Sequence, residues 1–293
     1  MRRRSFSVIA FATALRLRDA GAGAHGLPLK SRENERGAVK LLLDIASRRL
    51  IAAEGMNLAR RWVVPPGSAI KPFTLLALVA NGGLRPNDSI DCPGTLRIGD
   101  RSLNCSHPRL GYPVDTARAI AYSCNCFVAH FAARFRDGEL ARILSEYGFG
   151  SPSGLAGTEE AAGTVIPASG EDQREIQALG EYGVAITPLG LLDAYRRLAI
   201  DVQKSKNSAI LEGLEGAVEY GTAQLAGVKS VKVAGKTGSA RAASGANIAW
   251  FAGFAPSRAP RVAVAVLTQG RSGGGDAAPL AHKMIEAHMA ECL

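Results

Sequence analysis

The sequence predicts an α/β protein of the α+β type, with an antiparallel sheet of about five strands flanked by helices and an inserted all-helical lobe. Strand-like segments lie at both ends of the chain, and helix-like segments fill its middle. The last three strand-like segments are joined by short connections, which favours antiparallel pairing. Because strands separated in this way usually pair in one sheet, the helical middle is expected to form a second lobe.

The first predicted strands cover residues 37–45 and 49–53, joined by a turn at 46–48. A breaker, Pro65-Pro66-Gly67, precedes a predicted helix over 68–81. Further helices are predicted over 115–136, with a polar interruption at 123–125, and over 139–147, 175–199 and 276–289. Residues 148–168 are rich in Gly and Pro and are predicted to be loop, and the final strands are predicted at 232–234, 248–254 and 261–268.

The composition excludes a mostly disordered chain, because 47% of the 293 residues are hydrophobic. The net charge of +9 is spread thinly, and Arg2-Arg3-Arg4 is its only dense cluster. No stretch interleaves basic and aromatic residues as a single-strand binder would, so no nucleic acid is expected as a partner.

The amino terminus has the layout of an export signal. Three arginines precede a short apolar run, residues 6–15, and small residues follow at 20–24, although Arg16 and Arg18 lie where such a signal is usually neutral. Residues 1–35 are therefore assigned as a possible export signal and linker. The apolar run is too short to span a bilayer and no later segment is long enough, so no integral membrane segment is expected.

The five cysteines leave a pairing question open. Cys92 and Cys105 bracket a predicted hairpin with Gly99-Asp100 at its turn, and an oxidising compartment would allow them to form a disulfide. Cys124 and Cys126 are expected to point in different directions. No cysteine spacing is typical of zinc, so no metal is expected.

Ser68-Ala69-Ile70-Lys71 is an S-x-x-K motif. At the start of a helix, a serine and a lysine three positions later share a face, and the helix N-terminus lowers the lysine pKa. Such a lysine can take the hydroxyl proton as the serine attacks a carbonyl. Taken alone, the motif favours the simpler interpretation of a helix-capping serine one turn from a surface lysine.

Lys236-Thr237-Gly238-Ser239 is a K-T-G-S motif. On a strand, Lys236 and Gly238 share one face, and a glycine there lets a ligand lie close to the strand edge. A solvated lysine beside a turn is the alternative interpretation.

S-x-N occurs three times, at 102–104, 123–125 and 205–207. Only Ser123-Cys124-Asn125 interrupts an apolar stretch, where polar groups are costly without a purpose. We therefore choose Ser123 and Asn125 as site residues, with a polar break between two helices as the alternative. Glu159-Glu160 is a further candidate base, although a solvated acidic loop is the favoured interpretation.

These three motifs occur in the order S-x-x-K, S-x-N and K-T-G that penicillin-binding proteins and class A β-lactamases share. Ser123 follows Ser68 by 55 positions, and Lys236 follows Ser123 by 113 positions. The chain also resembles that superfamily in other segments between about residues 38 and 290: Pro65-Pro66-Gly67, Lys71-Pro72-Phe73-Thr74, Thr187-Pro188-Leu189, Gly221-Thr222-Ala223 and the segment 250–256.

The resemblance implies a DD-peptidase/β-lactamase-like fold and a set of roles. Ser68 would be the nucleophile, Lys71 the base and Ser123 the proton relay. Asn125 would hold the substrate backbone, Lys236 and Thr237 would attract a carboxylate beside Gly238, and the N–H groups of Ser68 and Ser239 would form an oxyanion hole worth roughly 3 kcal/mol.

The resemblance further implies a peptidoglycan D,D-transpeptidase that acts on stem peptides ending in D-Ala-D-Ala and is acylated by β-lactams. It implies no cofactor, a periplasmic or extracytoplasmic location, and room for a cell-envelope protein partner. The transpeptidase domain would cover residues 36–290, with a sheet lobe at 36–67 and 228–290 and a helical lobe at about 75–215. A D,D-carboxypeptidase, a β-lactamase and a β-lactam-sensing or silent scaffold domain are the alternatives.

Overall fold

A five-stranded antiparallel sheet organises the computed structural model, which describes residues 37–204 and 208–291. The strands of the described chain are β1 Val39–Asp44, β2 Leu50–Glu54, β3 Arg97–Ile98, β4 Arg101–Ser102, β5 Thr164–Val165, β6 Val184–Ala185, β7 Ala234–Arg241, β8 Asn247–Ala255 and β9 Val262–Gln269. The large sheet has the order β2-β1-β9-β8-β7, so the first strand of the chain lies next to the last. The predicted pairing of the two ends of the sequence is confirmed.

Helices cover both faces of this sheet. The helices of the described chain, several of which lie in the inserted region, are α1 Met56–Arg61, α2 Lys71–Ala80, α3 Thr116–Ala121, α4 Asn125–Ala132, α5 Glu139–Glu146, α6 Glu171–Ala178, α7 Pro188–Lys204, α8 Ser208–Glu219 and α9 Ala278–Glu291. Short 3-10 turns lie at Gly67–Ile70, Gly157–Glu159 and Gln224–Ala226, and a π-helical turn, Gly273–Ala277, precedes α9.

The side chains of the sheet alternate between two cores. Leu41 and Trp250 pack with the central helices, whereas Leu42 and Phe251 pack on the opposite face with residues of α9 such as Ile285. Because both faces are covered, the strand β9 is a continuous buried run from Val262 to Leu267.

The prediction of an all-helical inserted lobe is wrong. Two short antiparallel ladders, β3 with β4 and β5 with β6, lie within it. The β3–β4 hairpin turns at Gly99, which has a φ of +53°, so the hairpin predicted between Cys92 and Cys105 is confirmed.

Two long predicted helices are each divided in the structure. The segment 115–136 forms α3 and α4 with a turn at Ser123, and the segment 175–199 is interrupted by the strand β6. Gly180 and Gly183 have φ of +78° and +62°, which end α6 and allow the chain to enter that strand. The predicted export signal at 1–35 and the S-x-N at 205–207 lie outside the described residues.

Candidate active site

Ser68 lies in a tight 3-10 turn rather than in the first turn of an α-helix. The turn Gly67–Ile70 leads directly into α2, and the Lys71 N–H donates to the Ser68 carbonyl. Two buried aromatic side chains hold the turn: Trp250 Nε1 donates to the Pro65 carbonyl at 3.0 Å, and the Tyr195 hydroxyl donates to the Ala69 carbonyl at 2.8 Å. Ser68 is half-buried, so a rigid backbone presents a hydroxyl that solvent still reaches.

Lys71 is a buried amine that points at the Ser123 turn. Its side chain has no exposed surface, and its Nζ donates to the Ser123 carbonyl at 2.8 Å, to Ser123 Oγ at 3.1 Å and to Asn125 Oδ1. Burial lowers the pKa of the Lys71 amine to about 8, while negative charge nearby opposes part of this shift. A useful fraction of Lys71 is therefore neutral near physiological pH and able to accept a proton.

The Ser123 turn is held in an unfavourable backbone conformation. Ser123 has a φ of +58°, one of two such values at non-glycine residues of the described chain. The Cys124 N–H donates to the Ala119 carbonyl at 2.9 Å, and Asn125 Nδ2 donates to the Leu103 carbonyl at 2.8 Å. Strain of this kind costs about 1–3 kcal/mol and tends to occur where function requires it.

The strand β7 places the K-T-G-S motif at the free edge of the large sheet. Lys236 is fully buried, and its Nζ donates to the Thr237 carbonyl at 3.0 Å. Burial first, and the charge of Lys71 second, hold the pKa of Lys236 well below its usual range. The two lysines are therefore close enough to repel each other, so the first and third motifs lie in one region of the fold.

Glycines allow β7 to lie directly against the Ser68 turn. A β-carbon on Gly238 would overlap the Pro66 carbonyl oxygen, and one on Gly67 would overlap the Ser239 carbonyl oxygen. A β-carbon on Gly180 would likewise overlap the Gly67 carbonyl oxygen. Two segments that lie far apart in the sequence, β7 and the region of Gly180, thus contact the backbone of the Ser68 turn.

The sequence motifs did not assign a role to several residues of this region. Thr222 accepts a 2.8 Å hydrogen bond from the Thr237 hydroxyl, and the Gly273 N–H donates at 3.1 Å to Oγ of Ser239, a residue whose N–H the resemblance had assigned to the oxyanion hole. Glu181, next to Gly180, carries one of the charges that act on Lys71. The available signals were the Gly221-Thr222-Ala223 triplet and the glycine pair that flanks Glu181-Tyr182.

The favoured interpretation of Glu159-Glu160 as a solvated acidic loop is correct for Glu159 and wrong for Glu160. The Glu160 carboxylate is buried and accepts from the Ser153 N–H at 2.9 Å, the Ser153 hydroxyl at 2.7 Å and the Gly154 N–H at 3.0 Å. Glu159 is exposed and pairs with Arg60 at 3.4 Å. Glu160 therefore stabilises its own loop through these hydrogen bonds.

Four cysteines gather behind the Ser123 turn. The Cys92 and Cys105 sulfurs are 3.7 Å apart and unbonded. The expectation that Cys124 and Cys126 point in different directions is wrong. Their sulfurs both approach the Cys105 sulfur, at 3.8 and 3.5 Å respectively. Cys124 precedes α4 in an extended conformation and Cys126 lies in its first turn, so a change of backbone direction between them turns both sulfurs to the same side. The ligand atoms of Cys92, Cys105, Cys124 and His107 all lie within 4.8 Å of one another, a set able to hold a metal ion.

Among the described residues, no helix combines the length and the apolar character needed to cross a bilayer.

Known proteins are similar to this chain in sequence. It is 25% identical over 283 residues to the peptidoglycan D,D-transpeptidase PbpA of Mycolicibacterium smegmatis, an alignment that covers 80% of this chain and 57% of the relative. The chain thus spans little more than half the length of that relative.

Solved structures show the same fold. Pseudomonas aeruginosa PBP2, crystallised in complex with WCK 5153, superposes with a TM-score of 0.76 at 21% identity, covering 86% of this chain and 74% of the other. Helicobacter pylori PBP2, solved in a complex with MreC, superposes with a TM-score of 0.74 at 20% identity, covering 87% of this chain and 61% of the other.

The model of one protein family, the penicillin binding protein transpeptidase domain, matches residues 53–286, which include all three motifs. That stretch contains the buried Lys71–Ser123 contact and the whole of β7. The chain belongs to the penicillin-binding protein transpeptidase family.

Proposed function

We propose that the chain is a peptidoglycan D,D-transpeptidase that forms an acyl-enzyme on Ser68. The observation that carries this proposal is the buried amine of Lys71, which bonds to both Ser123 and Asn125 while β7 lies against the Ser68 turn. A nucleophile, a base of lowered pKa and a strand edge for substrate binding thus share one region.

In the first half of the reaction, the neutral Lys71 amine takes the hydroxyl proton as Ser68 Oγ attacks the carbonyl between two D-alanines. The N–H groups of Ser68 and Ser239 would stabilise the oxyanion, an effect of roughly 3 kcal/mol. The C–N bond then breaks, and the proton passes through Ser123 to the departing D-alanine amine. The 3.1 Å Lys71–Ser123 hydrogen bond provides the path for this proton.

In the second half, an acceptor amine attacks the ester carbonyl and loses a proton, and Ser68 Oγ departs and regains one through Lys71. Lys236 and Thr237 would attract the terminal carboxylate of the stem peptide, and Asn125 would bond its backbone. A β-lactam would acylate Ser68 by the same attack. No step needs a cofactor.

Labelling with a fluorescent penicillin tests the nucleophile. The unmodified chain should be labelled covalently, and Ser68→Ala should not, while Ser89→Ala, a change at an exposed serine, should label normally. Stoichiometric labelling of Ser68→Ala would refute the assignment.

The fate of the acyl group distinguishes the related activities. Incubation with a D-Ala-D-Ala pentapeptide and an acceptor amine, followed by mass spectrometry, should give the cross-linked product. Hydrolysis alone would indicate a D,D-carboxypeptidase, and rapid turnover of penicillin with no lasting acyl-enzyme would indicate a β-lactamase.

Location and partner belong to the same proposal. The substrate lies outside the cytoplasm, so we expect residues 1–35 to direct export, and a reporter that is active only after export should become active when fused to them. The complex of PBP2 with MreC supports a protein partner for this chain as well, and we expect that partner in the cell envelope.

A further inference from the structure

The cysteine-lined site behind the Ser123 turn has the dimensions of a metal site. Its sulfurs are separated by 3.7 Å between Cys92 and Cys105, 3.5 Å between Cys92 and Cys124, 3.8 Å between Cys105 and Cys124, and 3.5 Å between Cys105 and Cys126. His107 Nε2 lies 3.7 Å from the Cys92 sulfur. We call these five side chains the thiol cluster.

We propose that the thiol cluster binds one zinc ion, with Cys92, Cys105 and Cys124 as ligands and with His107 or Cys126 in the fourth position. Zinc–sulfur bonds of about 2.3 Å in a tetrahedron place neighbouring sulfurs about 3.8 Å apart. The three sulfurs are 3.5–3.8 Å apart in every pair, whereas a disulfide would require about 2.05 Å. A site of soft thiolates favours zinc over magnesium or calcium.

The surroundings of the ligands also suit a bound cation. A backbone carbonyl can only accept, so the 2.8 Å contact between His107 Nδ1 and the Pro108 carbonyl places the ring proton on Nδ1 and leaves Nε2 free to bind metal. The Gly94 N–H donates to the Cys92 sulfur and the Phe127 N–H donates to the Cys124 sulfur, each at 3.4 Å. Such bonds stabilise thiolates, the form in which cysteine binds metal.

Two residues compete for the fourth position. His107 belongs to the set whose ligand atoms all lie within 4.8 Å of one another. Cys126 lies 3.5 Å from Cys105 and also donates to the Thr95 carbonyl at 3.5 Å, a bond that it would give up on binding metal. Each thiol that binds releases one proton, so zinc uptake is accompanied by release of three or four protons.

The ion would connect the β3–β4 hairpin region to the residues that contact Lys71. Cys124 lies between Ser123 and Asn125, and Asn125 already bonds to the Leu103 carbonyl of the hairpin region. A zinc ion would therefore hold the strained Ser123 turn in place. The metal site itself does not depend on the proposed function, whereas this positioning role does.

Metal content tests the site directly. The full chain, purified without chelator, should contain about one zinc per molecule by inductively coupled plasma mass spectrometry. Single changes Cys92→Ser, Cys105→Ser and Cys124→Ser should each lower the bound zinc at least tenfold, and the control Cys292→Ser, outside the described residues, should not. Between His107→Ala and Cys126→Ser, the larger loss identifies the fourth ligand.

A spectrum of the unmodified chain keeps the test decisive if the variants fail to fold. Replacement of zinc by Co²⁺ should give the intense near-ultraviolet thiolate-to-cobalt bands and the visible bands of a tetrahedral site. The proposal would be overturned if the chain showed neither these bands nor stoichiometric zinc. Fewer than five free thiols, counted after denaturation without reductant, would then indicate a disulfide in place of the metal site.

The positioning role has its own readout. Removal of zinc by a chelator should lower the unfolding temperature and slow acylation by fluorescent penicillin about tenfold or more, and added zinc should restore both. Unchanged acylation in a chain shown to have lost its zinc would overturn the positioning role and leave the metal site intact. Failure of acylation in both forms would contradict the proposed function alone.

Discussion

The Lys71 amine donates a 3.1 Å hydrogen bond to the Ser123 hydroxyl, and this pair joins the first helix of the site to the left-handed turn between α3 and α4. A buried amine that both accepts a proton from a nucleophile and passes it to a second hydroxyl needs this contact.

Acylation should accelerate as the pH rises through about 8. Burial lowers the Lys71 pKa to about 8, so the amine is protonated below that pH and cannot act as a base. The rate constant for fluorescent penicillin should therefore rise about tenfold per pH unit below the pKa and then level off. Lys71→Met should remove nearly all acylation, and a rate that is flat or falls with rising pH would contradict the role of Lys71.

Lys236→Met should stabilise the fold while it impairs acylation. Lys236 is fully buried, repelled by Lys71 and bonded to the Thr237 carbonyl, and methionine is of similar size without the charge. We expect the free energy of unfolding to rise by roughly 1–3 kcal/mol in urea titrations. The acylation rate should fall, because the carboxylate of the ligand loses its cation. A less stable variant would show that the Lys236 charge is compensated within the folded protein.

Gly238→Ala should separate β7 from the Ser68 turn. The added methyl group would overlap the Pro66 carbonyl oxygen and lie 3.2 Å from the Ala69 β-carbon, so the strand must shift. A displacement of about 1 Å at a reacting centre lowers rates on the order of a hundredfold. Gly37→Ala is the matched control, because a β-carbon there meets nothing within 4 Å. Equal acylation rates in the two variants would argue against close packing at Gly238.

Ser123→Gly and Ser123→Ala should differ in stability and agree in activity. Both lose the hydroxyl, so both should acylate slowly or fail to protonate the leaving group. Alanine keeps the β-carbon that disfavours a φ of +58°, whereas glycine does not, so the glycine variant should be more stable by roughly 1 kcal/mol. Thermal unfolding of the two proteins decides the matter, and equal stabilities would mean that the turn carries no strain.

Patterns confined to neighbouring residues predicted much of this architecture. The apolar residues of β1 and β9 located the sheet, and short connections between the last strands set its antiparallel sense. The S-x-x-K and K-T-G-S motifs selected segments that the fold brings into backbone contact.

Features that depend on contacts between distant segments could not be predicted in this way. Burial of Glu160 depends on Ser153 and Thr187, and no local pattern encodes that pocket. The cysteines of the thiol cluster come from both sides of the β3–β4 hairpin and from the start of α4, so their spacing in the sequence matches no familiar zinc motif. The positive φ at Ser123 was equally invisible, because serine has no intrinsic preference for it.

The position of β1 between β2 and β9 constrains when a newly made chain can acquire its site. Val39 pairs with Leu267 and Asp44 with Val262, so the central ladder stays open until the ribosome has synthesised residues 262–267. Closing a loop that long is slow, and the apolar face of β1 must wait uncovered during that interval. Emerging chains should consequently depend on chaperones until this segment is available, and a product that stops short of residue 262 should lack the completed central ladder, however many of the catalytic motifs it contains.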